Sequence, residues 1–404
     1  MSDAQDRRSA CVAGNRLSRG ARQRGAARCT AATATPLLRA SRAASSGLLA
    51  LLLAACGTAP QRAQPDAADQ RSTALALPVA TVAERFVTAD ARADEIDSVA
   101  TWRSAAGATW LLATAKSGAR VLVYDAVTGS ALGALAPRPG DPPLLRPNGI
   151  AVAGDVALVV DQERARVEMI RLPDGARLGA FGAGLLRTPY GIWAQADGDG
   201  GFDVYVTDSY RQPDGSFPPP AELDRRVHHF HLDRDLQART VRAFGETHGS
   251  GMLLTVESVA ADPRHRRLLV AEEQVEAGSG LREYRTDGRY TGTSIAGGIF
   301  AWQAEGIALV ACADGEGFWI ASDQHHEHQR FHVFDRASLR WLGAFRGRVA
   351  ADTDGLAYAP PPLPGFPAGA LYAQHDNRAV VAFDWAEVAR ALDLPAHCHG
   401  AATG

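Results

Sequence analysis

The stretch Asp97-Ser-Val-Ala contains a motif that recurs five more times along the chain. Each copy has a polar residue, then a small residue, then an aliphatic residue. The other copies are Asn148-Gly-Ile-Ala, Tyr190-Gly-Ile-Trp, Glu257-Ser-Val-Ala, Glu305-Gly-Ile-Ala and Asp354-Gly-Leu-Ala. Because the leading residue is polar in every copy and acidic in four, this position is a candidate for chemistry as well as for structure.

Two strand-like runs follow each motif, as in Trp319-Ile-Ala-Ser-Asp323 and Phe331-His-Val-Phe-Asp335. A repeat of about 50 residues built from short strands predicts an all-β fold, a β-propeller with one repeat per blade. The sixth repeat lacks a fourth strand, because the chain turns helical from Trp385 to Leu392. We therefore expect the strand-like run 81–88 to complete the last blade and to close a six-bladed propeller over residues 80–392.

The segment before the propeller indicates export. A short apolar run ends in Leu53-Ala-Ala-Cys56, which resembles a bacterial lipoprotein signal with Cys56 as the lipidated residue. An ordinary secretory signal with a chance cysteine is the alternative. We therefore predict a signal segment over 1–55, a flexible tether over 56–79 and a short tail over 393–404. The predicted location is the cell envelope through a lipid anchor, or outside the cell after secretion.

Charge and cysteine content narrow the choice of partners. The chain carries a net charge of −3, and removal of the first 55 residues, with nine Arg and two Asp, changes it to −10. This acidic balance argues against nucleic acid as a partner and is compatible with cation binding. We expect a monomer that contacts the membrane only through its anchor. Cys312 and Cys398 either pair in an oxidising compartment or remain free thiols.

The repeat also brings polar side chains together. The residue leading each inner strand lies at one end of the channel, so six polar residues form a ring there. Acidic residues that end the second strands, among them Asp161, Asp208, Glu272 and Asp323, are expected at the same face. So many carboxylates need cations, and hard oxygen donors favour Ca²⁺. The alternative is that Asp and Asn simply form turns before strands, but this explains Glu and Tyr poorly.

Several stretches resemble the β-propeller phytases. They are Leu269-Val-Ala-Glu-Glu273, Gln303-Ala-Glu-Gly306, Ile320-Ala-Ser-Asp-Gln324, Asp352-Thr-Asp-Gly355, Lys116-Ser-Gly118 and Arg146-Pro-Asn148. The resemblance spans residues 80–392 and is strongest in the last three repeats. It implies a Ca²⁺-dependent 3-phytase-like hydrolase, which releases phosphate from myo-inositol hexakisphosphate or a related phosphomonoester.

The resemblance also implies roles for individual residues. The implied catalytic residues are Glu257, Glu305, Asp354 and Lys116. The implied Ca²⁺ ligands or their close neighbours are Asp97, Tyr190, Glu257, Glu273, Gln303, Glu305, Asp352 and Asp354. The expected substrate-binding residues are Lys116, Arg146, Asn148, Arg164 and Arg211.

The chain departs from the family pattern mainly on the phosphate-binding side. Ala115 stands where the family has a second lysine, and Ser98 stands where it has an aspartate. These departures leave two rivals: a non-catalytic propeller that binds a ligand or protein on the acidic face, and an enzyme acting on a lactone or sugar. The run His325-His-Glu-His328 either binds a transition metal or is a solvated loop.

Overall fold

The computed structural model describes residues 67–135, 140–312 and 314–395. The first elements are helix α1 (Ala67–Ala76) and strands β1 (Val79–Thr81) and β2 (Phe86–Val87). Blade one contains β3 (Ile96–Arg103), β4 (Thr109–Ala115), β5 (Arg120–Asp125) and β6 (Ala131–Leu135). Blade two contains β7 (Pro147–Ala153), β8 (Val156–Asp161), β9 (Arg166–Arg171) and β10 (Arg177–Phe181). Blade three contains β11 (Pro189–Ala196), β12 (Phe202–Asp208), β13 (Val227–Leu232) and β14 (Ala238–Phe244).

The remaining blades complete the fold. Blade four contains β15 (Val256–Asp262), β16 (Arg267–Glu272), β17 (Gly280–Arg285) and β18 (Tyr290–Ile295). Blade five contains β19 (Gln303–Ala311), β20 (Gly317–Gln324), β21 (Arg330–Asp335) and β22 (Trp341–Arg346). Blade six contains β23 (Leu356–Ala359), β24 (Ala370–His375) and β25 (Ala379–Asp384), followed by helix α2 (Trp385–Ala391).

Each blade is an antiparallel sheet, and the blades form a closed ring. The inner strands contact one another in the order β3, β7, β11, β15, β19, β23, and β23 returns to β3. Strand β2 pairs with β25 and supplies the fourth strand of blade six. The prediction of a six-bladed β-propeller closed by an N-terminal strand is therefore confirmed.

The hydrophobic core is divided among the blades. Buried clusters lie between every pair of neighbouring blades, including one that joins blade six to blade one through residues such as Tyr372 and Leu111. The second strands have neighbours on both faces, and β8 and β24 are buried along their whole length. This explains why these strands are continuous apolar runs rather than alternating ones.

The N-terminal segment differs from the expected tether and single strand. Alanine-rich α1 is a good helix former. It packs through Ala74 on Ala301 and Trp302 of blade five, and Arg330 donates to the Ala74 carbonyl at 2.7 Å. The strand-like run divides in two, and β1 adds a parallel fifth strand to β22. Cys56, the signal segment and the tail from residue 396 onward lie outside the described residues.

The small residue that follows the leading polar residue of each motif allows neighbouring inner strands to approach one another. A Cβ on Gly191 would lie 2.4 Å from the carbonyl oxygen of Glu257, and one on Gly149 would lie 2.4 Å from that of Tyr190. A β-bulge interrupts the inner-strand register at this point in each of the first five blades. The bulge and the small residue together bring the polar leading residues to the channel.

In the odd-numbered blades, hydroxyl groups satisfy the backbone of the bulge. Thr207 accepts from the Gly191 amide at 2.7 Å and donates to the carbonyl of Glu257 in the next blade at 2.7 Å. Ser322 accepts from the Gly306 amide at 2.8 Å, and Thr114 accepts from the Ser98 amide at 3.0 Å.

Among the described residues, no helix is long and apolar enough to cross a membrane.

Candidate functional site

The six leading residues lie where the inner strands begin, at one end of the channel. They are Asp97, Asn148, Tyr190, Glu257, Glu305 and Asp354, hereafter the ring. Asp97, Asn148, Glu257 and Glu305 are buried, and Tyr190 and Asp354 are half-buried. The second strands run antiparallel to the inner strands and end at the same face, so their last residues surround the ring.

Blades four to six contribute a group of mutually repelling carboxylates. Burial raises the pKa of Glu257 well above its usual value, and the charges of Glu305 and Glu273 raise it further. Burial, then the charges of Asp354 and Glu273, raise the pKa of Glu305. Burial and the charge of Asp97 raise the pKa of Asp354 to about 8. Without a cation, this side of the ring therefore retains protons that ordinary carboxyl groups would release.

The phenol of Tyr190 faces the same charges. The pKa of Tyr190 is raised well above its usual value, first by the charge of Glu257 and next by that of Asp97. Because Glu257 belongs to blade four and Asp97 to blade one, Tyr190 lies in the field of both sides. The leading residues thus converge on a common space, as the repeat predicts.

The blade-one side of the ring contains its own cation. The Lys116 ammonium lies 2.9 Å from Asp97 Oδ1 and 3.7 Å from Glu95 Oε1, and the side chain is only 8% exposed. Burial alone would lower the pKa of Lys116, but the charges of Asp97 and Asp354 outweigh that effect and raise the pKa. The ammonium therefore stays charged and neutralises part of the ring.

Two amide side chains donate hydrogen bonds to carboxylates in or near the ring. Gln303 donates to Glu273, and Gln324 donates to Asp354. Gln324 and Lys116 occupy equivalent places in their blades. Each follows the residue that pairs with the neighbour of the ring residue, Asp323 with Ala304 and Ala115 with Ile96. Glu273 and Gln303, two of the expected Ca²⁺ ligands or their neighbours, are thus in direct contact.

Asn148 has no hydrogen-bond partner among the described residues. Its side chain is fully buried, and neither its amide nitrogen nor its amide oxygen forms a hydrogen bond. A buried amide without partners costs about 1–3 kcal/mol. Because Asn148 is a ring residue, its free oxygen is positioned as a donor atom for a cation or a bound ligand.

The carboxylates that end the second strands serve a different purpose from the one expected. Each binds backbone amides of the loop that leads into the inner strand of its own blade. Asp208 accepts from the Arg187 and Thr188 amides, and Asp323 accepts from the Ala301 and Trp302 amides at 2.9 and 2.8 Å. Asp161 and Glu272 do the same in blades two and four. These four residues therefore hold loops in place through backbone amides.

The expected substrate-binding arginines differ in their availability. Arg146 is 41% exposed, donates to Gln162 at 3.1 Å and lies 3.8 Å from Glu95. Arg164 donates to Asp161 and to the Pro143 carbonyl, both at 2.6 Å. Arg211 donates to Thr255 and stacks on Phe217. Arg211 is the most exposed of the three residues and Arg146 is partly exposed, while Arg164 is committed to a buried carboxylate.

Two acidic residues lie near the ring in places that the sequence did not indicate. Glu95 was not singled out from the sequence, because it precedes the repeat motif, yet it contacts Lys116, Arg146 and Ser117. Asp352 was an expected ligand of the ring, but its Oδ2 lies 2.8 Å from Nδ1 of His326, outside the ring.

The donor atoms of the ring fit Ca²⁺. Carboxylates, an unpartnered amide and a phenol are hard oxygen donors, and the crowded carboxylates of blades four to six gain most from a divalent charge. Glu257, Glu305 and Asp354 would hold the ion, and Asn148 offers a further oxygen from blade two. Lys116 already neutralises Asp97, so that carboxylate is the ring residue least in need of a cation.

No protein-family model and no curated protein matches the chain. Similar solved structures include hydrazine synthase of Kuenenia stuttgartiensis, with 16% identity, a TM-score of 0.42 and coverage of 71% of this chain and 75% of that one. Another is a nidogen/laminin complex, with 16% identity, a TM-score of 0.46 and coverage of 66% and 87%. A third is a Xanthomonas campestris gluconolactonase, with 17% identity, a TM-score of 0.46 and coverage of 76% and 98%. None of the three is a phytase, and likenesses this distant carry no information about ligand or reaction.

Proposed function

We propose that the chain is a Ca²⁺-dependent phosphomonoester hydrolase, similar to the 3-phytases, with its active site in the ring. The observation that carries the proposal is the group of crowded carboxylates in blades four to six, with the unpartnered Asn148 in blade two of the same ring. Such a group is costly in a protein that binds no cation. The family motifs quoted above supply the substrate class.

The reaction is the attack of water on phosphorus, with cleavage of the phosphorus–oxygen bond to the alcohol. Bound cations would neutralise phosphate charge and lower the pKa of a coordinated water. With a cation bound at the ring, Glu257 and Glu305 would lose their protons, and a carboxylate of this pair would then accept a proton from the attacking water. Asp354 supports the same role from blade six.

Cationic side chains would hold the phosphate group. Lys116 is fixed by Asp97, so its ammonium is oriented before substrate arrives. Arg146 is exposed at the same face and would bind a second phosphate oxygen from the solvent side. Asn148, which is buried in the ring, would donate a hydrogen bond to the phosphate group through its unpartnered amide nitrogen.

The test is phosphate release by purified protein from myo-inositol hexakisphosphate and from a simple phosphomonoester. Release should require Ca²⁺ and stop on addition of chelator. Glu305→Gln should abolish it, while Glu327→Gln, an exposed glutamate outside the ring, should not. The enzyme proposal fails if no Ca²⁺-dependent release occurs from either substrate.

A hydrolase of a less charged substrate, such as a lactone or a sugar derivative, is the second candidate. It is favoured by the scarcity of available cations: of the expected phosphate-binding groups, Lys116 is ion-paired and Arg164 is committed to Asp161. The same preparation should be assayed with a sugar lactone. Turnover of the lactone alone would favour this candidate. A Ca²⁺-binding protein that turns over neither substrate would be a binding propeller.

We also propose that the protein is anchored in the cell envelope through Cys56 and acts as a monomer on a small phosphorylated molecule. The disulfide formed by Cys312 supports an oxidising compartment. Metabolic labelling with a radioactive fatty acid tests the anchor, because Cys56→Ser should remove the label.

A further inference from the structure

A second cluster of metal-ligating groups lies beside the ring, at the junction of blades five and six. Its members are His326, Asp352 and Asp376, which offer one ligand atom each within 4.8 Å of one another. His326 follows β20, Asp352 precedes β23 and Asp376 follows β24. The Nδ1 atom of His326 lies 2.8 Å from Asp352 Oδ2 and 4.0 Å from Asp376 Oδ1.

Hydrogen bonds hold the three loops in this arrangement. The Asp376 amide donates to the Ala351 carbonyl at 2.9 Å, which joins the loop of Asp376 to that of Asp352. On the other side, His325 accepts through its Nδ1 from the amides of Glu327 and His328. His325 also packs against Trp302, with ring centroids 4.5 Å apart. The loop that carries His326 is therefore anchored on both sides of the imidazole.

Two arginine side chains orient the carboxylate of Asp376. Arg378 lies 3.1 Å from Asp376 Oδ2, and Arg92 lies 3.8 Å from the same oxygen. The two arginines engage one oxygen and leave Oδ1 directed at His326. This is the arrangement in which an outer partner fixes a ligand for a metal ion.

The donor set differs from that of the ring. The ring offers oxygen atoms, whereas this cluster offers one imidazole nitrogen and two carboxylates. Imidazole with carboxylates suits Zn²⁺ and similar transition-metal ions rather than Ca²⁺. The His326 side chain is 69% exposed, which leaves open positions for water or an exogenous ligand.

We propose that His326, Asp352 and Asp376 form a site for a divalent transition-metal ion, separate from the ring. His326 supplies Nδ1, and each aspartate supplies one oxygen. The open side faces solvent, so the ion retains exchangeable positions. Because Asp352 stands two residues before Asp354, the site lies at the rim of the proposed active site, but it requires no ring residue.

The experiment is calorimetric titration of the chelator-treated full chain with Zn²⁺, in the presence of millimolar Ca²⁺ to saturate any oxygen-donor site. The variants are His326→Ala and Asp376→Asn, and His328→Ala is the matched control from the same loop, because it lies outside the cluster. We expect saturable Zn²⁺ binding in the wild type and in His328→Ala. Each cluster variant should lose at least about tenfold in affinity.

Two further measurements keep the result interpretable. Circular dichroism confirms that each variant is folded, and Co²⁺ absorption bands report coordination by the wild type that His326→Ala should lack. Glu305→Gln should bind Zn²⁺ as the wild type does, so failure of the ring proposal would not affect this outcome. Unchanged Zn²⁺ affinity in His326→Ala, an equal loss in His328→Ala, or no Zn²⁺ binding by the wild type would show that His326 and Asp352 form an ion pair only.

Discussion

The two sides of the ring manage negative charge in different ways. On the blade-one side, Asp97 is paired with a protein cation, since the Lys116 ammonium lies 2.9 Å away. On the side of blades four to six, Glu257, Glu305 and Asp354 form no ion pair within 4 Å in the part of the chain that the structure describes, and burial and neighbouring carboxylates raise their pKa values. The Asp97 carboxylate is neutralised by a lysine of the protein, whereas the carboxylates of blades four to six need protons or a bound cation.

This difference indicates where a bound ion would sit. A divalent cation gains little beside an ammonium group and much among crowded carboxylates. The two sides would also serve different steps of a hydrolase reaction, because Lys116 can bind an anionic group while the opposite side would hold metal. Carboxylates at the same repeat position therefore serve two purposes: Asp97 pairs with Lys116, and those of blades four to six would hold metal.

The largest effect is expected from removing the internal cation. Lys116→Met leaves the fully buried Asp97 carboxylate without its partner, so the free energy of unfolding in chelator should fall by about 3–5 kcal/mol. Arg120→Met is the control, because it removes an exposed ion pair with Asp94 in the same blade and should cost less than about 1 kcal/mol. Urea unfolding measures both. Equal losses would mean that Lys116 does not neutralise the ring.

The opposite side should respond in the opposite direction. Glu305→Gln removes one of several repelling charges, so the variant should be more stable than the wild type in chelator. Its kcat/KM for phosphate release should nevertheless fall by about 100-fold or more, since a group acting on the transition state is lost. Thermal unfolding and phosphate assays test the pair of effects. A variant that is both less stable in chelator and fully active would contradict the comparison.

A smaller effect distinguishes the two arginines of blade two. Arg146→Ala should raise KM about tenfold, as expected for one lost contact between charged groups. Arg164→Ala should instead lower stability, because Asp161 loses its partner at 2.6 Å. Steady-state kinetics and thermal unfolding of both variants measure this. If Arg164→Ala alone raised KM, the phosphate-binding side would have been placed on the wrong arginine.

The pH dependence of stability should reveal the buried carboxyl of Asp354, which lacks a bound cation in chelator. In cation-free protein, burial and Asp97 raise the pKa of Asp354 to about 8, so the folded state keeps a proton that the unfolded state releases above about pH 4. The contribution of this proton to the free energy of unfolding should therefore fall as pH rises toward 8, with a slope of at most about 1.4 kcal/mol per pH unit, and change little above that pH. Thermal unfolding across pH in chelator measures the slope. Saturating Ca²⁺ should flatten it, and a profile unaffected by Ca²⁺ would argue against cation binding at Asp354.

Much of the architecture is readable from the sequence because the repeat is strict. The small residue after each leading position marks where neighbouring inner strands come together, as Gly149 and Gly191 show. The pairing of β1 with β22 and the docking of α1 could not be predicted, since neither segment belongs to a repeat and both depend on surfaces that exist only after folding.

The site was harder to predict than the fold. Asp323 and Glu305 are both acidic residues at the same end of blade five, but Asp323 binds two backbone amides and Glu305 faces other carboxylates. Sequence alone does not distinguish them, because the difference lies in the direction of the side chain and in the loop it meets. Similarly, Asp352 matches a family motif, yet its neighbour in space is His326.

The most direct test of the ring as a cation site is calorimetric titration of the chelator-treated protein with Ca²⁺, alongside Glu305→Gln and Glu327→Gln. We predict saturable binding to the wild type and to Glu327→Gln, with affinity at least about tenfold weaker in Glu305→Gln. Absence of Ca²⁺ binding by the wild type, or equal affinity in Glu305→Gln, would contradict the account.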